Sequence, residues 1–171
     1  MSVKPILQLG NPDLYRISEI VSEEERDAIR NTVTDLHDTM INFRKRYGVG
    51  RAIAAPQIGI FKQIIYMFIN EPVTFINPVL FDFSEERIKL WDDCMSFPRL
   101  LVKVERHKRC KIKYKDLNWD DKELDLENDL SELLQHEYDH LMGVLAVSRA
   151  IDERSLAFKT ELEKLKFTDG G

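Results

Sequence analysis

Near the C-terminal end, the stretch Leu126–Val144 carries Leu130, Leu133, Leu134 and Leu141 at helical spacing, and within it lies His136-Glu137-Tyr138-Asp139-His140. Residues four apart stand one turn apart on the same helix face. The two imidazoles can therefore bind one metal ion, and the intervening glutamate can handle the proton of a water on that ion. The alternative is a helix that happens to carry two surface histidines. With only four histidines in 171 residues, that coincidence is poorly supported.

A two-histidine site needs a third ligand and one position open for water. Four candidates present themselves. Cys94 is a thiolate donor in a polar, turn-like context between Asp92-Asp93 and Met95. Cys110 lies in an alternating segment that turns it toward the core. Asp139, three residues after His136, suits a supporting partner of a ligand better than a ligand. No distant glutamate stands out. Cys94 is the choice, so the fold must bring a segment some forty residues upstream onto this helix.

The rest of the chain reads as follows. Val3–Leu9 is short and apolar and is turned by Gly10-Asn11-Pro12. Ser22 followed by Glu23, Glu24 and Glu25 resembles a capped helix start. Ile29, Val33, Leu36, Met40 and Phe43 then recur at three- and four-residue spacing, which predicts one amphipathic helix over Glu23–Tyr47. Gly48 and Gly50 end it. Gln63–Ile69, Val73–Ile76, Lys89–Trp91, Leu100–Glu105 and Cys110–Tyr114 read as strands, rich in branched and aromatic residues and separated by Pro, Gly, Asn and Asp. Lys111–Lys115 alternates as a half-buried antiparallel strand does. A short tail helix is expected over Arg154–Lys166. The fold class is therefore α+β: antiparallel sheets around a helix carrying the metal motif, with an N-terminal amphipathic helix. No linker or repeat suggests a boundary, so residues 1–171 are read as a single domain.

Composition bounds the function. Hydrophobic residues make up 43% of the chain and its net charge is −5, enough apolar material for a core and too acidic for a general nucleic-acid or membrane-surface binder. No apolar run is long enough to span a bilayer and the start lacks a signal pattern, so a cytoplasmic location is expected. Two cysteines and a reducing compartment give little reason to expect a disulfide. The basic clusters Arg44-Lys45-Arg46 and Arg106–Lys111 most simply form solvated faces, with ribosomal or nascent-chain docking as the functional alternative.

Ala54-Ala55-Pro56-Gln57-Ile58-Gly59 completes the set. Small residues permit close backbone approach, and a glutamine amide can donate to a developing oxyanion. Taken alone, the segment reads equally well as a tight loop. In order along the chain, however, Ala54-Ala55-Pro56-Gln57, Cys94-Met95-Ser96 with Pro98, and Gln135-His136-Glu137-Tyr138-Asp139-His140 resemble the three motifs of the peptide deformylases. Gly10-Asn11-Pro12, Asn77-Pro78 and Arg106 also fit that pattern, and the resemblance covers roughly residues 3 to 150.

The resemblance implies a divalent ion, iron(II) foremost and zinc, nickel or cobalt as alternatives, held by Cys94, His136 and His140. It implies attack of metal-bound water on the formyl carbon of an N-terminal formyl-methionine, on formylated nascent peptides. Glu137 would carry the proton, and Gln57 with the backbone N–H of Met95 would stabilise the oxyanion. Gly50, Arg51, Ala52 and Asp93 would line the substrate cleft.

The chain also departs from the family pattern. Without a gap it has Gly50-Arg51-Ala52-Ile53 where a glycine-aliphatic-glycine-bulky run is usual, the alternative being Gly48-Val49-Gly50 with two residues inserted, and it has Asp92-Asp93 before the cysteine where glutamate and glycine are usual. Asn128-Asp129 and Met142 depart as well. These changes leave the metal and proton groups intact and fall on the cleft wall and the methionine pocket, where an arginine and an extra aspartate would favour a more polar substrate or one with a different charge. The competing readings are an amidohydrolase of another N-formyl or N-acyl compound, a non-catalytic metal-binding relative, and a zinc protease. Retention of Glu137 and Gln57 argues against a binding module. The absence of His, Glu or Asp in Leu141–Val147 argues against the usual protease ligand sets.

Overall fold

The computed structural model describes residues 2–168. Its elements are α1 (Ile29–Tyr47), β1 (Ala52–Ala54), β2 (Ile64–Phe68), β3 (Pro72–Phe81), β4 (Arg87–Asp92), β5 (Leu100–His107), β6 (Arg109–Lys115), β7 (Asp121–Glu127), α2 (Asp129–Leu141), β8 (Leu156–Phe158) and α3 (Lys159–Thr168). One sheet runs β1-β2-β3-β6-β7 and the other β4-β5-β8, with antiparallel pairing throughout. This is the expected α+β architecture.

Strand alternation decides which helix covers which face of the larger sheet. Successive side chains point to opposite faces. Ile53, Ile64, Tyr66 and Ile76 join Val33, Leu36, Met40 and Phe43 of α1 in one apolar cluster. Their neighbours Ala52, Ala54, Ile65, Phe75 and Ile112 join Leu133, Leu134 and Leu141 of α2 in another. The second helix also meets β5, so it lies between the two sheets with most of its side chains buried. The smaller sheet has its own cluster, in which Val102 and Val104 pack with Cys94, Phe97 and Ala146.

The residues before α1 wrap the molecule and fasten α2. The Ser18 N–H donates to the Leu141 carbonyl at 2.8 Å. Asn77 interrupts the β3–β6 register with a positive φ of 49°, and its side-chain amide exchanges two 2.8 Å hydrogen bonds with the backbone of Val21. A β-bulge on the sheet thereby becomes the anchor for the N-terminal segment.

Several boundaries differ from expectation. The first α-helix begins at Ile29 rather than Glu23. Glu23–Glu25 instead form a separate 3₁₀ turn, closed by the Ser22 N–H donating to the Glu25 carboxylate at 2.9 Å. Gly48 ends α1 in the left-handed conformation, as expected. The metal-motif helix is shorter than the leucine pattern suggested, because Leu126 belongs to β7 and the chain turns sharply at Asn128, φ 52°. Strands β1, β7 and β8 were not anticipated. The expected tail helix starts at Lys159, after β8 takes Leu156–Phe158.

Candidate metal centre

Each group at the centre is placed by its own local structure. His136 and His140 project from the buried face of α2, with ring centroids 5.0 Å apart and edge-on. Cys94 sits in the turn that follows β4, where the Phe97 N–H closes on the Cys94 carbonyl and the Ser96 N–H points at Sγ from 3.4 Å. Its sulfur lies 3.3 Å from His140 Nε2. The donor atoms of Cys94, His136 and His140 all fall within 4.8 Å of one another, and all three residues are buried. Two donors bound to one tetrahedral ion at ordinary Zn–S and Zn–N distances stand roughly 3.5 Å apart. The 3.3 Å separation of Sγ and Nε2 is thus the spacing of two ligands of a common ion. Cys110, the rejected alternative, is buried in the sheet against Ser131.

One of the two histidines is held from behind, while His140 Nδ1 is buried without a hydrogen-bond partner. His136 Nδ1 is 2.8 Å from Asp92 Oδ2, which fixes the tautomer that leaves Nε2 free as a ligand. Arg106, 3% exposed, donates to Asp92 and to Asp139 at 3.0 Å each. Arg149 in turn grips Asp139 through two hydrogen bonds of 2.6 and 2.8 Å. The supporting role expected of Asp139 is therefore exercised on two arginines and not on an imidazole. Burial opposes a charge on Asp92, but the His136 and Arg106 charges prevail and hold its pKa at about 2. Burial likewise opposes a proton on His136, and is outweighed by Asp92 and Cys94, which keep its pKa well above the ordinary value. Burial and the neighbouring His136 push His140 the other way. A thiol sulfur and two imidazole nitrogens converge here, a donor set that suits a divalent cation.

Glu137 is buried beside the donors, and its Oε2 has no hydrogen-bond partner. Burial pushes its pKa up to about 7. A carboxyl of that kind can both take and give a proton near neutrality. Gln57 lies in the 3₁₀ turn Ala55–Ile58. Its Oε1 accepts from the Ala54 N–H at 2.9 Å, which fixes the amide so that Nε2 reaches the Ser96 hydroxyl at 3.1 Å and Cys94 Sγ at 3.6 Å. The amide donor is thereby aimed into the centre.

The centre opens into a cleft of about 500 Å³ between the two sheets. Gly50, Arg51, Ala52, Asp93 and Met95 all line it, as do Gln57, Cys94, His136 and Glu137. Gly50 must be a glycine: its φ is 135°, and a Cβ would stand 2.9 Å from the Met95 side chain. Its carbonyl is held by the Arg44 guanidinium at 2.7 and 3.0 Å. Asp93 pairs with Lys159 at 3.2 Å on the rim. Arg51 reaches across to Glu132 on α2 at 2.9 Å.

Glu132 carries no expectation from the sequence, although it stands one turn before His136 on the same helix face, and neither does Asp92 as the His136 partner. The N-terminal segment braces the centre from outside. The Leu7 N–H donates to the Gln57 carbonyl, the Leu9 N–H to the Ser96 carbonyl, both at 2.8 Å, and Gln8 Nε2 to the Met95 carbonyl at 3.1 Å.

The basic clusters are largely spoken for. Arg44 serves backbone carbonyls and Arg106 is buried, while Lys108, Arg109 and Lys111 face Glu86, Glu127 and Asp82. No helix among the described residues is long and apolar enough to cross a membrane.

Comparison with known proteins gives one answer. The family model for polypeptide deformylase matches residues 3–155. Peptide deformylase 1 of Prochlorococcus marinus (strain MIT 9313) is 36% identical over 177 residues, covering 95% of this chain and 88% of that protein. The crystal structure of peptide deformylase from Thermotoga maritima superposes with a TM-score of 0.81 at 31% identity, covering 89% of this chain and 100% of that one. The class I type b peptide deformylase from Acinetobacter baumannii, solved with Met-Ala-Ser bound, gives 0.80 at 29% identity, covering 87% of this chain and 100% of that one.

Proposed function

Because the chain belongs to the peptide deformylase family, we propose that it is a metal-dependent hydrolase that removes the formyl group from the N-terminal formyl-methionine of newly made proteins. The observation that carries this reading is the meeting of three buried donors, Cys94, His136 and His140, with an unpartnered carboxylate oxygen on Glu137 and an amide donor on Gln57.

Cys94, His136 and His140 would hold the ion. A thiolate and two imidazoles accept iron(II), zinc, nickel or cobalt, and iron(II) is the ion assigned to the cell on the family likeness. When bound there, a divalent ion would supply Lewis acidity, lowering the pKa of a coordinated water to about 7.

The protein groups do the remainder. Asp92, itself held by Arg106, fixes His136 so that its Nε2 faces the centre. Glu137 takes the proton of the attacking water on its free Oε2 and returns it to the departing amine. The Gln57 Nε2–H and the Met95 backbone N–H donate to the formyl oxygen as negative charge gathers on it. Gly50, Arg51, Ala52 and Asp93 receive the peptide along the cleft. The partners are formylated nascent peptides in the cytoplasm. Docking to the ribosome would fall to Lys45 and Arg46, the exposed residues of the first basic cluster, and is measured by cosedimentation.

The experiment is a Glu137→Ala variant assayed for metal content and for formate release from a formyl-Met peptide. The expected result is unchanged metal content with formate release lower by about 10²–10⁴-fold. Unchanged turnover would remove the role given to Glu137.

A further inference from the structure

Beside the proposed reaction centre, the cleft wall carries an ion pair. Glu132 stands one turn before His136, lines the same cleft, and has a side chain only 9% exposed. Arg51, half exposed at the mouth, donates to its Oε1 at 2.9 Å. The cleft lining also holds the apolar Phe43, Val49, Leu90 and Leu133, and of its other charged groups Asp93 is paired with Lys159 and Arg44 is engaged by backbone carbonyls. Arg51 and Glu132 line the same cleft as Cys94, His136 and Glu137, and Glu132 stands one helical turn, about 5.4 Å along α2, from His136, a distance that the first side chain of a peptide held at the centre can span.

We propose that the Arg51–Glu132 pair selects that first side chain, favouring a carboxamide over an apolar chain of the same length. The proposal rests on the deformylase reading and refines its substrate: formyl-methionine peptides are still turned over, and a formylated first residue with a carboxamide side chain is turned over faster. An apolar chain laid over the pair strips water from a guanidinium and a mostly buried carboxylate and returns nothing. A carboxamide offers an N–H to Glu132 and a carbonyl to Arg51, so both partners regain a hydrogen bond and no charge is added. A carboxylate or ammonium on the substrate satisfies one partner and is repelled by the other. Sites that hydrogen-bond a substrate group discriminate strongly against analogues lacking it.

The test measures formate release by the metal-loaded protein from formyl-Gln-Ala-Ser, formyl-Met-Ala-Ser and formyl-norleucine-Ala-Ser. Alongside it, the affinities of the unformylated Gln-Ala-Ser and norleucine-Ala-Ser peptides are measured without turnover. The expected kcat/KM for the glutamine peptide is about tenfold above that for norleucine, with methionine close to norleucine and the affinities in the same order. In an Arg51→Leu/Glu132→Leu double variant the order reverses. Should that variant not fold, Arg51→Met alone, at a half-exposed position, brings the ratio to about one.

Equal or better turnover of the methionine and norleucine peptides by the unaltered protein overturns the proposal and leaves the deformylase reading standing. A glutamine preference that survives Arg51→Met also overturns it. If formate is released from none of the peptides, the deformylase reading falls and takes this proposal with it.

Discussion

Arg106 is a cation 3% exposed between two carboxylates, one of which orients a proposed metal ligand. Such a group is costly to bury and costlier to remove, since its partners stay behind without it. Arg106→Met is expected to destabilise the fold by about 3–5 kcal/mol in chemical denaturation and to weaken metal binding, because Asp92 loses the partner that holds it on His136. Gln57→Leu works differently. It leaves the three donors in place and removes one hydrogen bond to the developing oxyanion, so formate release should fall by about 10²–10³-fold at unchanged metal content.

The donors themselves were legible in the sequence. Two of four histidines share a helix face, and Cys94 stands out after two aspartates in a turn. Asp92 and Arg106 were not legible as partners. Their meeting depends on β4 and β5 pairing beneath α2, a tertiary fact that local pattern does not encode. Glu132 had a readable signal in its position four residues before His136, and only its charge argued against placing it in the buried face.

At the scale of elements, two glycines are expected to differ in cost. Gly48 caps α1 at φ 74° with open space around it, so Gly48→Ala should cost about 1 kcal/mol for the backbone conformation alone. Gly143 follows α2 at φ 71°, and a Cβ there would meet the Tyr15 carbonyl oxygen at 2.3 Å, which is backbone and cannot swing aside. Thermal unfolding should therefore rank Gly143→Ala as clearly the more damaging.

The helices were read correctly in kind and imperfectly in extent. The acidic start at Glu23 promised one continuous helix, but the capping turn closes on itself and α1 begins four residues after it. Strand β7 escaped because Asp121–Glu127 has only two apolar residues, Leu124 and Leu126. It pairs on one side only, with β6, and a charged exposed edge is how a sheet avoids pairing with other chains. Strands β1 and β8, three residues each, are too short to show a period.

At the scale of the whole molecule, three buried donors from two segments are tied together once an ion is present, and binding favours the folded state alone. Chelation followed by thermal unfolding should lower the midpoint by roughly 5–10 °C relative to the loaded protein, with recovery on adding the ion back. No change would mean that the donors do not share an ion.

The contacts of Leu7, Gln8 and Leu9 have a consequence for how the molecule is made. These residues are made well before residues 95 and 96, yet what they clasp includes the carbonyls of Met95 and Ser96. The clasp of Gln8 and Leu9 must wait until nearly ninety further residues have emerged, whereas Leu7 finds its partner at Gln57 sooner. Trimming the opening segment would remove no ligand, yet it would slacken the two strips of backbone on which the amide donor and the sulfur are mounted.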